Sequence, residues 1–244
     1  MYDNFARGYY NVMKNTFQND FADYYKKIID KYKIPNNLIL DLGCGSGDIT
    51  YIMANSGYDM IGIDISCDML NIANEINKND NIMYLCQDMR EFELYGTVGM
   101  IYSSMDCINY ITDKRDLKKV FKLCNNYLDY DGLFVFDVNT IYKFYNILDN
   151  NTFVYDTENE YLVWQNEYDK KSKLCNFYLD MFYKDNGSYK RHYDEQQQRA
   201  YEVDELKVML KKAGFVVENI CNELSFSKVK KTTERAFFIC RKVK

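Results

Sequence analysis

The sequence has few of the residues that bind metal ions or interrupt regular structure. Its 244 residues contain one histidine, His192, and one proline, Pro35. Eight cysteines are present, but none forms the C-x-x-C pair that is typical of zinc sites. We therefore expect no bound metal. Because most of the cysteines lie in apolar runs, we predict that they are small core residues of a cytoplasmic protein.

Long apolar runs and an excess of basic residues are also missing. No stretch reaches the length of about 18 apolar residues that spans a bilayer, so no membrane helix is expected. The N-terminal segment lacks the apolar centre of a signal peptide. The net charge of −5 argues against a protein that works bound to nucleic acid. The length fits one large α/β domain or one domain with an insertion.

The most informative stretch is Leu38–Gly47, LILDLGCGSG. An apolar run leads into three glycines, and apolar residues at helical spacing follow. This order predicts a strand, a glycine loop that lets a ligand approach the backbone, and a helix whose start offers free N–H groups. A second buried strand, 60–63, ends on Asp64, where an acidic side chain binds a ribose in nucleotide-binding sheets.

Details of the loop distinguish between nucleotide ligands. The third glycine comes one residue too early for the dinucleotide pattern G-x-G-x-x-G, and the G-K-[ST] of a phosphate loop is absent. The nearby carboxylate of Asp41 would repel a pyrophosphate and suits a cationic ligand. The stretch resembles motif I of the class I S-adenosylmethionine (SAM)-dependent methyltransferases, D-x-G-x-G-x-G, matched at Asp41, Gly43, Gly45 and Gly47.

The resemblance extends over nearly the whole chain, to an uncharacterised branch of bacterial small-molecule methyltransferases. It implies that SAM is the cofactor and S-adenosylhomocysteine its product. The candidate cofactor-binding residues are Tyr9, Asp41, Gly43, Cys44, Gly45, Gly47, Asp64, Ile65, Asp88, Met89, Ser103 and Ser104. For Asp88 the resemblance implies a hydrogen bond from the adenine amino group, and the alternative is a cap on the turn that begins at Arg90.

Residues 1–33 are predicted to form an amphipathic helix pair that covers the sheet. Their start resembles the Y-x-x-F-A-x-x-Y-D opening of many small-molecule methyltransferases. The match holds at Tyr2, Phe5, Ala6 and Tyr9, whereas Tyr10 stands where Asp is usual. This resemblance implies a lid that closes over the cofactor.

Repeated strand–helix units with short connections predict a parallel sheet with helices on both faces. The first five strands are expected at 38–42, 60–64, 82–86, 98–103 and 133–138, with a helix at 116–130 that ends at Asp131-Gly132. Beyond a short helix at 141–147, three alternating strands are expected at 161–168, 174–184 and 189–201, with a hairpin turn at Asp185-Asn186-Gly187-Ser188. A helix at 203–213 and strands at 215–221 and 234–242 complete the chain.

The predicted fold class is therefore α/β. It is a Rossmann-like, doubly wound, mostly parallel seven-stranded sheet with an antiparallel β-meander inserted after strand five. The SAM-binding core comprises residues 1–140 and 202–244, with 1–33 as the helical lid, and the inserted subdomain, 141–201, covers the acceptor site.

Candidate acceptor-binding residues lie at the carboxyl ends of strands and in the insertion. They are Asp106, Asn139, His192 and Arg199. In the last inserted strand His192, Asp194, Gln196 and Gln198 share one face. That row is either the exposed face of an edge strand or the floor of the acceptor pocket. Trp164 is expected in the core, with an acceptor platform as the alternative. The residue pattern identifies no catalytic residue.

The resemblance implies methyl transfer to a nitrogen or oxygen atom of a small molecule, for which positioning and exclusion of water supply much of the catalysis. An RNA or protein methyltransferase is one alternative and would need an open, basic groove beside Asp64 and Asp106. A SAM-binding module without catalysis is another, and its acceptor pocket would be blocked by side chains. The expected partner is a small-molecule acceptor. Neither the acceptor nor the oligomeric state follows from the sequence.

Overall fold

The computed structural model describes residues 4–14, 16–185 and 187–243. The predictions made for Tyr2 and Asn186 therefore lie outside the described residues. Two helices, α1 (Asn4–Met13) and α2 (Gln18–Tyr32), come first. Alternating elements follow: β1 (Leu38–Leu42), α3 (Asp48–Asn55), β2 (Asp59–Asp64), α4 (Cys67–Ile76), β3 (Ile82–Cys86), β4 (Val98–Ser103), α5 (Lys114–Tyr127) and β5 (Leu128–Asn139).

After β5 the chain leaves this sheet and forms the insertion. A short helix, α6 (Ile141–Lys143), continues into a π-helical turn, Phe144–Leu148. Four antiparallel strands follow: β6 (Thr152–Asp156), β7 (Glu160–Asp169), β8 (Leu174–Asp185) and β9 (Ser188–Arg199). The chain then returns through α7 (Val203–Lys212), β10 (Phe215–Asn222) and β11 (Arg235–Lys242). No helix in the described part of the chain is long and apolar enough to cross a membrane.

The first sheet has seven strands in the order β10-β11-β5-β4-β1-β2-β3. The pairings among β1 to β5 are parallel, and β11 runs antiparallel to both of its neighbours. The predicted fold class is confirmed. Because the strand order reverses between β1 and β4, the connections that follow these two strands run to opposite faces of the sheet. The crevice between them is the usual ligand site of such sheets.

Strand alternation divides the core into two layers, one on each face of the sheet. In β5 the rings of Phe134 and Phe136 pack with α5 and α7, whereas Val135 packs on the opposite face with α2 and α3. In both layers these side chains are completely buried. Burial on both faces explains why the central strands are apolar runs rather than alternating ones.

The end of one helix was predicted wrongly, and one strand was not predicted. Helix α5 ends at Tyr127 rather than at residue 130, because Leu128 is buried and pairs with Val98 as the first residue of β5. Asp131, with φ +67°, lies within an irregular part of that strand instead of ending the helix. The insertion also has a fourth strand, β6, at its edge. None of its five residues is buried, so the apolar alternation that reveals a strand is weak there.

The cysteines only partly follow the prediction. Cys124, Cys175, Cys221 and Cys240 are buried and free, as expected of small core residues. Cys67 and Cys86 are instead exposed and form a disulfide that joins the start of α4 to the end of β3. Among the described residues no group of three or more His, Cys, Asp or Glu side chains is arranged to hold a metal ion.

Candidate functional site

A cavity of about 620 Å³ lies at the carboxyl ends of the central strands, under α1 and against the inserted sheet. This volume is within the range of roughly 300–1,000 Å³ found for small-molecule sites. The predicted site residues that line it are Tyr9, Asp41, Gly43, Cys44, Gly45, Asp64, Ser104, Asp106, Asn139 and His192. A neighbouring cavity of about 540 Å³ shares Tyr9, Gly43 and Asp64 with it and is also lined by Ile65, Asp88 and Met89.

The glycine loop is shaped by the ends of β1 and β2. The backbone N–H groups of Gly43 and Cys44 both donate to the carbonyl of Ile63, at 2.7 and 2.9 Å. Gly47 has φ +73° and begins α3, and a Cβ atom there would lie 2.3 Å from the hydroxyl oxygen of Tyr84. Only glycine therefore fits at this position, which lines neither cavity and instead fixes the path of the loop.

Asp64 is held in one orientation by backbone donors. Its Oδ2 accepts a 2.8 Å hydrogen bond from the N–H of Gly45, and its Oδ1 accepts one of 2.8 Å from the N–H of Ser66. Each carboxylate oxygen can accept a second hydrogen bond. Burial raises the pKa of Asp64, while these backbone donors lower it. The carboxylate is thus fixed and able to receive two ligand hydroxyl groups.

Asp41 lines the cavity with an almost completely buried carboxylate. Its side chain is 2% exposed, and its Oδ2 accepts a 2.6 Å hydrogen bond from the hydroxyl of Thr50. Its Oδ1 is buried and has no hydrogen-bond partner in the described structure. Burial raises the pKa of Asp41 to about 7. Its carboxylate charge beside the cavity suits the positively charged cofactor that the resemblance implies.

Asp88 lines the neighbouring cavity, but its carboxylate is also engaged locally. Both oxygens accept from the guanidinium of Arg90, with Nε at 2.9 Å from each, and Oδ1 accepts from the Arg90 N–H at 2.8 Å. This pairing lowers the pKa of Asp88. Within the chain, Asp88 therefore makes the contacts expected of a residue that caps this turn. A hydrogen bond from adenine to Asp88 stays a prediction.

A polar network closes the inner end of the cavity. Arg235 forms ion pairs with Asp137 and, at 2.7 Å, with Asp106. The other carboxylate oxygen of Asp106 accepts a 2.6 Å hydrogen bond from Gln198 Nε2. Asn139 and Lys143 extend the network with a 2.9 Å hydrogen bond from Lys143 Nζ to Asn139 Oδ1. The network therefore joins the first sheet to the inserted sheet.

Arg235 and Lys143 are functional candidates that sequence reasoning missed. Arg235 opens β11 and pairs in register with Asn139, the last residue of β5. Because β11 is antiparallel, its first residue lies at the edge where the parallel strands end. A charged residue at the start of an apolar antiparallel strand was the available signal. Lys143, in the short helix after β5, had no distinguishing local pattern.

The polar row of β9 faces the cavity rather than open solvent. His192, Asp194 and Gln196 line the cavity, and Gln198 is completely buried. The His192 ring packs on that of Phe5 in α1, with the ring centroids 4.8 Å apart. The edge position of β9 is also compatible with a face exposed to solvent. In the structure, α1 and the first sheet cover that face.

Trp164 is a core residue, as expected, and it also lines the cavity. It packs edge to face on Phe177 in the core of the insertion, with ring centroids 5.2 Å apart, and it lines the cavity. Its indole Nε1 is buried without a hydrogen-bond acceptor among the described residues.

Two candidates point away from the cavities just described. Ser103 is buried and donates a 2.7 Å hydrogen bond to the carbonyl of Leu42, between adjacent strands. Arg199 donates to the carbonyls of Thr112 and, at 3.1 Å, Ser172, so its guanidinium fastens loops on the outer side of the insertion. The geometry gives both side chains structural contacts. Direct contact with a ligand stays untested for them.

Helix α1 covers the cavity from above. Phe5, Tyr9, Tyr10 and Met13 line it, and burial raises the pKa of Tyr9. The helix is attached on both sides. Asn11 donates a 2.7 Å hydrogen bond to Glu160 of β7, and Arg7 forms an ion pair with Glu75 of α4. The helix therefore bridges the first sheet's helices and the inserted sheet.

Acidic residues dominate the lining of the larger cavity. Six aspartates contribute to it, against two lysines and one arginine, namely Asp41, Asp48, Asp64, Asp68, Asp106, Asp194, Lys14, Lys143 and Arg235. The space extends past Asp106 and Asn139 to the inserted sheet, so side chains do not block it.

Comparisons with known proteins agree with this geometry. A family model described as a methyltransferase domain matches residues 39–132. The putative methyltransferase YqeM of Bacillus subtilis is 29% identical over 247 residues, which cover 100% of this chain and 98% of the relative. A solved SAM-dependent methyltransferase from Clostridium acetobutylicum has a TM-score of 0.88 at 28% identity and 98% coverage of both chains.

A more distant structure shares the fold over the same length. The SAM-bound amino pentose methyltransferase CalS10 from Micromonospora echinaspora has a TM-score of 0.76 and covers 100% of this chain and 98% of its own. At 14% identity this likeness concerns the fold alone. The insertion and the N-terminal helices are thus part of the shared architecture.

Proposed function

This chain belongs to the SAM-dependent methyltransferases, and we propose that it transfers the methyl group to a nitrogen or oxygen atom of a small molecule. The observation that carries the proposal is a covered cavity that continues from the glycine loop to a polar wall under the insertion. SAM supplies an electrophilic methyl group on a positively charged sulfur. The acceptor must then be held in line with that methyl group in the absence of water.

We assign the cofactor to the half of the cavity around the glycine loop. Asp64, held by two backbone donors, is suited to bind the ribose hydroxyl groups. The carboxylate of Asp41, at the cavity wall, is suited to the positive charge of the cofactor. Asp88 and Met89, which line the adjoining cavity, are assigned to the adenine. Gly43, Cys44, Gly45 and Ser104 line the space between these groups.

The acceptor is assigned to the half of the cavity under the insertion. Asp106, Asn139 and His192 line it, and α1 covers it. We propose that residues 141–201 act as an acceptor-binding subdomain and residues 1–33 as a lid. A closed lid keeps water from the reacting groups, and its opening admits substrates.

The charge of the cavity favours a small molecule over RNA. An RNA methyltransferase needs a basic groove to neutralise phosphates, whereas this cavity has more acidic than basic residues. Its cover by α1 and the insertion also leaves little access for a folded macromolecule. The solved neighbour CalS10, an amino pentose methyltransferase by its description, is a small-molecule enzyme with the same architecture.

We further propose a cytoplasmic location, which rests on the six unpaired cysteines. In a reducing compartment the exposed Cys67–Cys86 disulfide would open.

Thermal unfolding with SAM, S-adenosylhomocysteine and NAD tests the cofactor assignment. A ligand at a hundred times its Kd stabilises the folded state by about 2.7 kcal/mol. We expect SAM and S-adenosylhomocysteine to raise the Tm, NAD to have no effect, and Asp64→Ala to lose the response. The exposed Asp59→Ala at the start of β2 is the matched control and should respond like the wild type.

Transfer of a radiolabelled methyl group tests the acceptor class. The enzyme is incubated with labelled SAM and with small-molecule, RNA or protein fractions of a cell extract. We expect label in the small-molecule fraction, and none with Asp64→Ala. Label in RNA or protein alone would reject the small-molecule proposal while leaving the cofactor assignment intact.

A further inference from the structure

Lys143 is a partly buried cation that lines the acceptor half of the cavity. Its ammonium group donates one hydrogen bond, of 2.9 Å, to the neutral side-chain oxygen of Asn139. Among the described residues no carboxylate oxygen lies within 4.0 Å of Lys143 Nζ. An ammonium group has three donors, so two remain for a ligand.

The neighbouring cation cannot take over this role. The guanidinium of Arg235 is bound to Asp137 through Nη1 and to Asp106 through Nη2. Asp106 also accepts a hydrogen bond from Gln198. The two carboxylates of the polar wall, Asp137 and Asp106, are thus both paired with Arg235. Lys143 is the cation of this wall that has no carboxylate partner within the described structure.

The surroundings of Lys143 make the unpaired charge unfavourable. Burial lowers the pKa of Lys143, and the positive charge of Arg235 lowers it further, whereas Asp106, Glu234 and Asp137 act in the opposite direction with smaller effects. Buried charges are normally paired, because desolvation without a partner costs several kcal/mol. A negative group brought by a ligand would restore that pairing.

We propose that the acceptor carries an oxyanion, a carboxylate or a phosphate group, that binds the ammonium group of Lys143. This inference rests on the proposed small-molecule methyl transfer and specifies its substrate class. The anion anchors the acceptor at the Asn139 end of the cavity. Since Asp194 on β9 and the aspartates near the glycine loop repel an anion, the opposite orientation is disfavoured. Lys143 therefore sets the direction in which the acceptor enters.

Titration with small anions on the full chain tests the proposal without knowing the acceptor. The protein is saturated with S-adenosylhomocysteine, and sodium acetate or sodium phosphate is added at an ionic strength matched with sodium chloride. The shift in Tm with anion concentration gives an apparent Kd. The variants are Lys143→Gln, Lys143→Arg and, as the matched control, Lys14→Gln, which removes the other lysine that lines the same cavity.

We expect at least one probe to bind the wild type about tenfold more tightly than Lys143→Gln, as a charge-assisted hydrogen bond requires. Lys143→Arg should keep most of the affinity, and Lys14→Gln should match the wild type. Preference for acetate indicates a carboxylate acceptor, and preference for phosphate indicates a phosphate ester. Equal binding to the wild type and Lys143→Gln, or no binding of either probe, would overturn the proposal.

Nuclear magnetic resonance of lysine labelled with ¹³C at Cε provides a second measurement on the unmutated protein. Binding of the anion should raise the pKa of Lys143. An unchanged Lys143 signal in the presence of both probes would also overturn the proposal. Failure of S-adenosylhomocysteine itself to raise the Tm would instead count against the cofactor assignment, so the two failures are distinguishable.

Discussion

At the scale of single residues, the site depends on groups that are each fixed by one or two contacts. Asp64 owes its orientation to the N–H groups of Gly45 and Ser66. Asp41 is buried beside the cavity, and its Oδ2 accepts from the hydroxyl of Thr50. Gly47 leaves room for the hydroxyl group of Tyr84. Substitution at such positions therefore has effects that can be assigned to one physical cause.

Replacement of Gly47 by alanine should destabilise the protein strongly. The new Cβ would meet Tyr84, and the positive φ of 73° is unfavourable for alanine. The backbone conformation costs roughly 1–2 kcal/mol, and the clash adds about 1–3 kcal/mol. Denaturant unfolding measures the sum.

Gly57→Ala is the matched control for that substitution. Gly57 also has a positive φ, of 95°, but a Cβ there meets nothing within 4 Å. It should lose only the backbone part, roughly 1–2 kcal/mol. Equal losses for the two variants would show that contact with Tyr84 does not restrict position 47.

Asp41 should make the stability of the ligand-free protein fall as the pH rises. Its pKa is about 7 in the folded state against 3.8 as the ordinary value. Between these values the folded protein keeps a proton that the unfolded chain has lost, so the unfolding free energy falls by up to about 1.4 kcal/mol per pH unit. The effect is complete above about pH 7.

Denaturant unfolding from pH 4 to pH 8 measures this dependence. Asp41→Asn, which cannot ionise, should have a smaller decrease over that range. Asp59→Asn, exposed at the start of β2, is the control and should follow the wild type. An Asp41→Asn profile parallel to that of the wild type would contradict the assignment of the proton to Asp41.

At the scale of secondary structure elements, the cofactor half of the site depends on how loops are held together. The Cys67–Cys86 disulfide joins the start of α4 to the end of β3. Asp64 pairs in register with Cys86 in the adjacent strand, and Gln87 N–H donates to the Asp64 carbonyl at 3.0 Å. The disulfide therefore lies between the loop that fixes Asp64 and the loop that carries Asp88.

Reduction of the disulfide should lower the unfolding free energy by about 3 kcal/mol, because a closed loop of this size restricts the unfolded chain. Unfolding in urea with and without a thiol reductant measures the change. The double variant Cys67→Ser/Cys86→Ser should resemble the reduced protein and ignore the reductant. If the wild type is equally stable under both conditions, the disulfide contributes nothing to folding.

At the scale of the whole molecule, a buried charge network joins the two sheets. Arg235 of β11 binds Asp137 of β5 and Asp106 beyond β4, and Gln198 of β9 completes the link to the insertion. Asn109 adds a second link, since its side chain donates to the Arg199 carbonyl at 2.8 Å and accepts from the Asn139 N–H at 2.9 Å. The polar wall of the cavity thus also joins the core to the insertion.

Arg235→Met should destabilise the protein by about 3–5 kcal/mol, since it leaves two carboxylates without their cation. Urea unfolding measures the loss. The double variant Arg235→Met/Asp137→Asn should recover part of it. Arg115→Met is the control: its side chain is 85% exposed in its pair with Asp113, and its loss should leave the unfolding free energy nearly unchanged. Similar losses for the two arginines would argue against a buried network.

The predicted fold could be obtained from the sequence because each parallel unit is encoded locally. The pattern from Leu38 to Asp64 contains a buried strand, a turn that needs glycine and a helix start within a single stretch of chain. Strand β6 and the end of α5 were missed for the opposite reason. One has no buried residue, and the other depends on Leu128 pairing with a distant strand.

The sequence alone determined the α/β class, the glycine loop and the position of Asp64, since neighbours in the chain and hydrophobic periodicity fix these features. Only the tertiary structure decided that the row from His192 to Gln198 faces the cavity, that Arg235 reaches Asp106, and that Lys143 has no carboxylate partner in the described structure. These features arise where chain segments far apart in sequence pack together. Periodicity gives the face on which a side chain lies, and packing decides what that face meets.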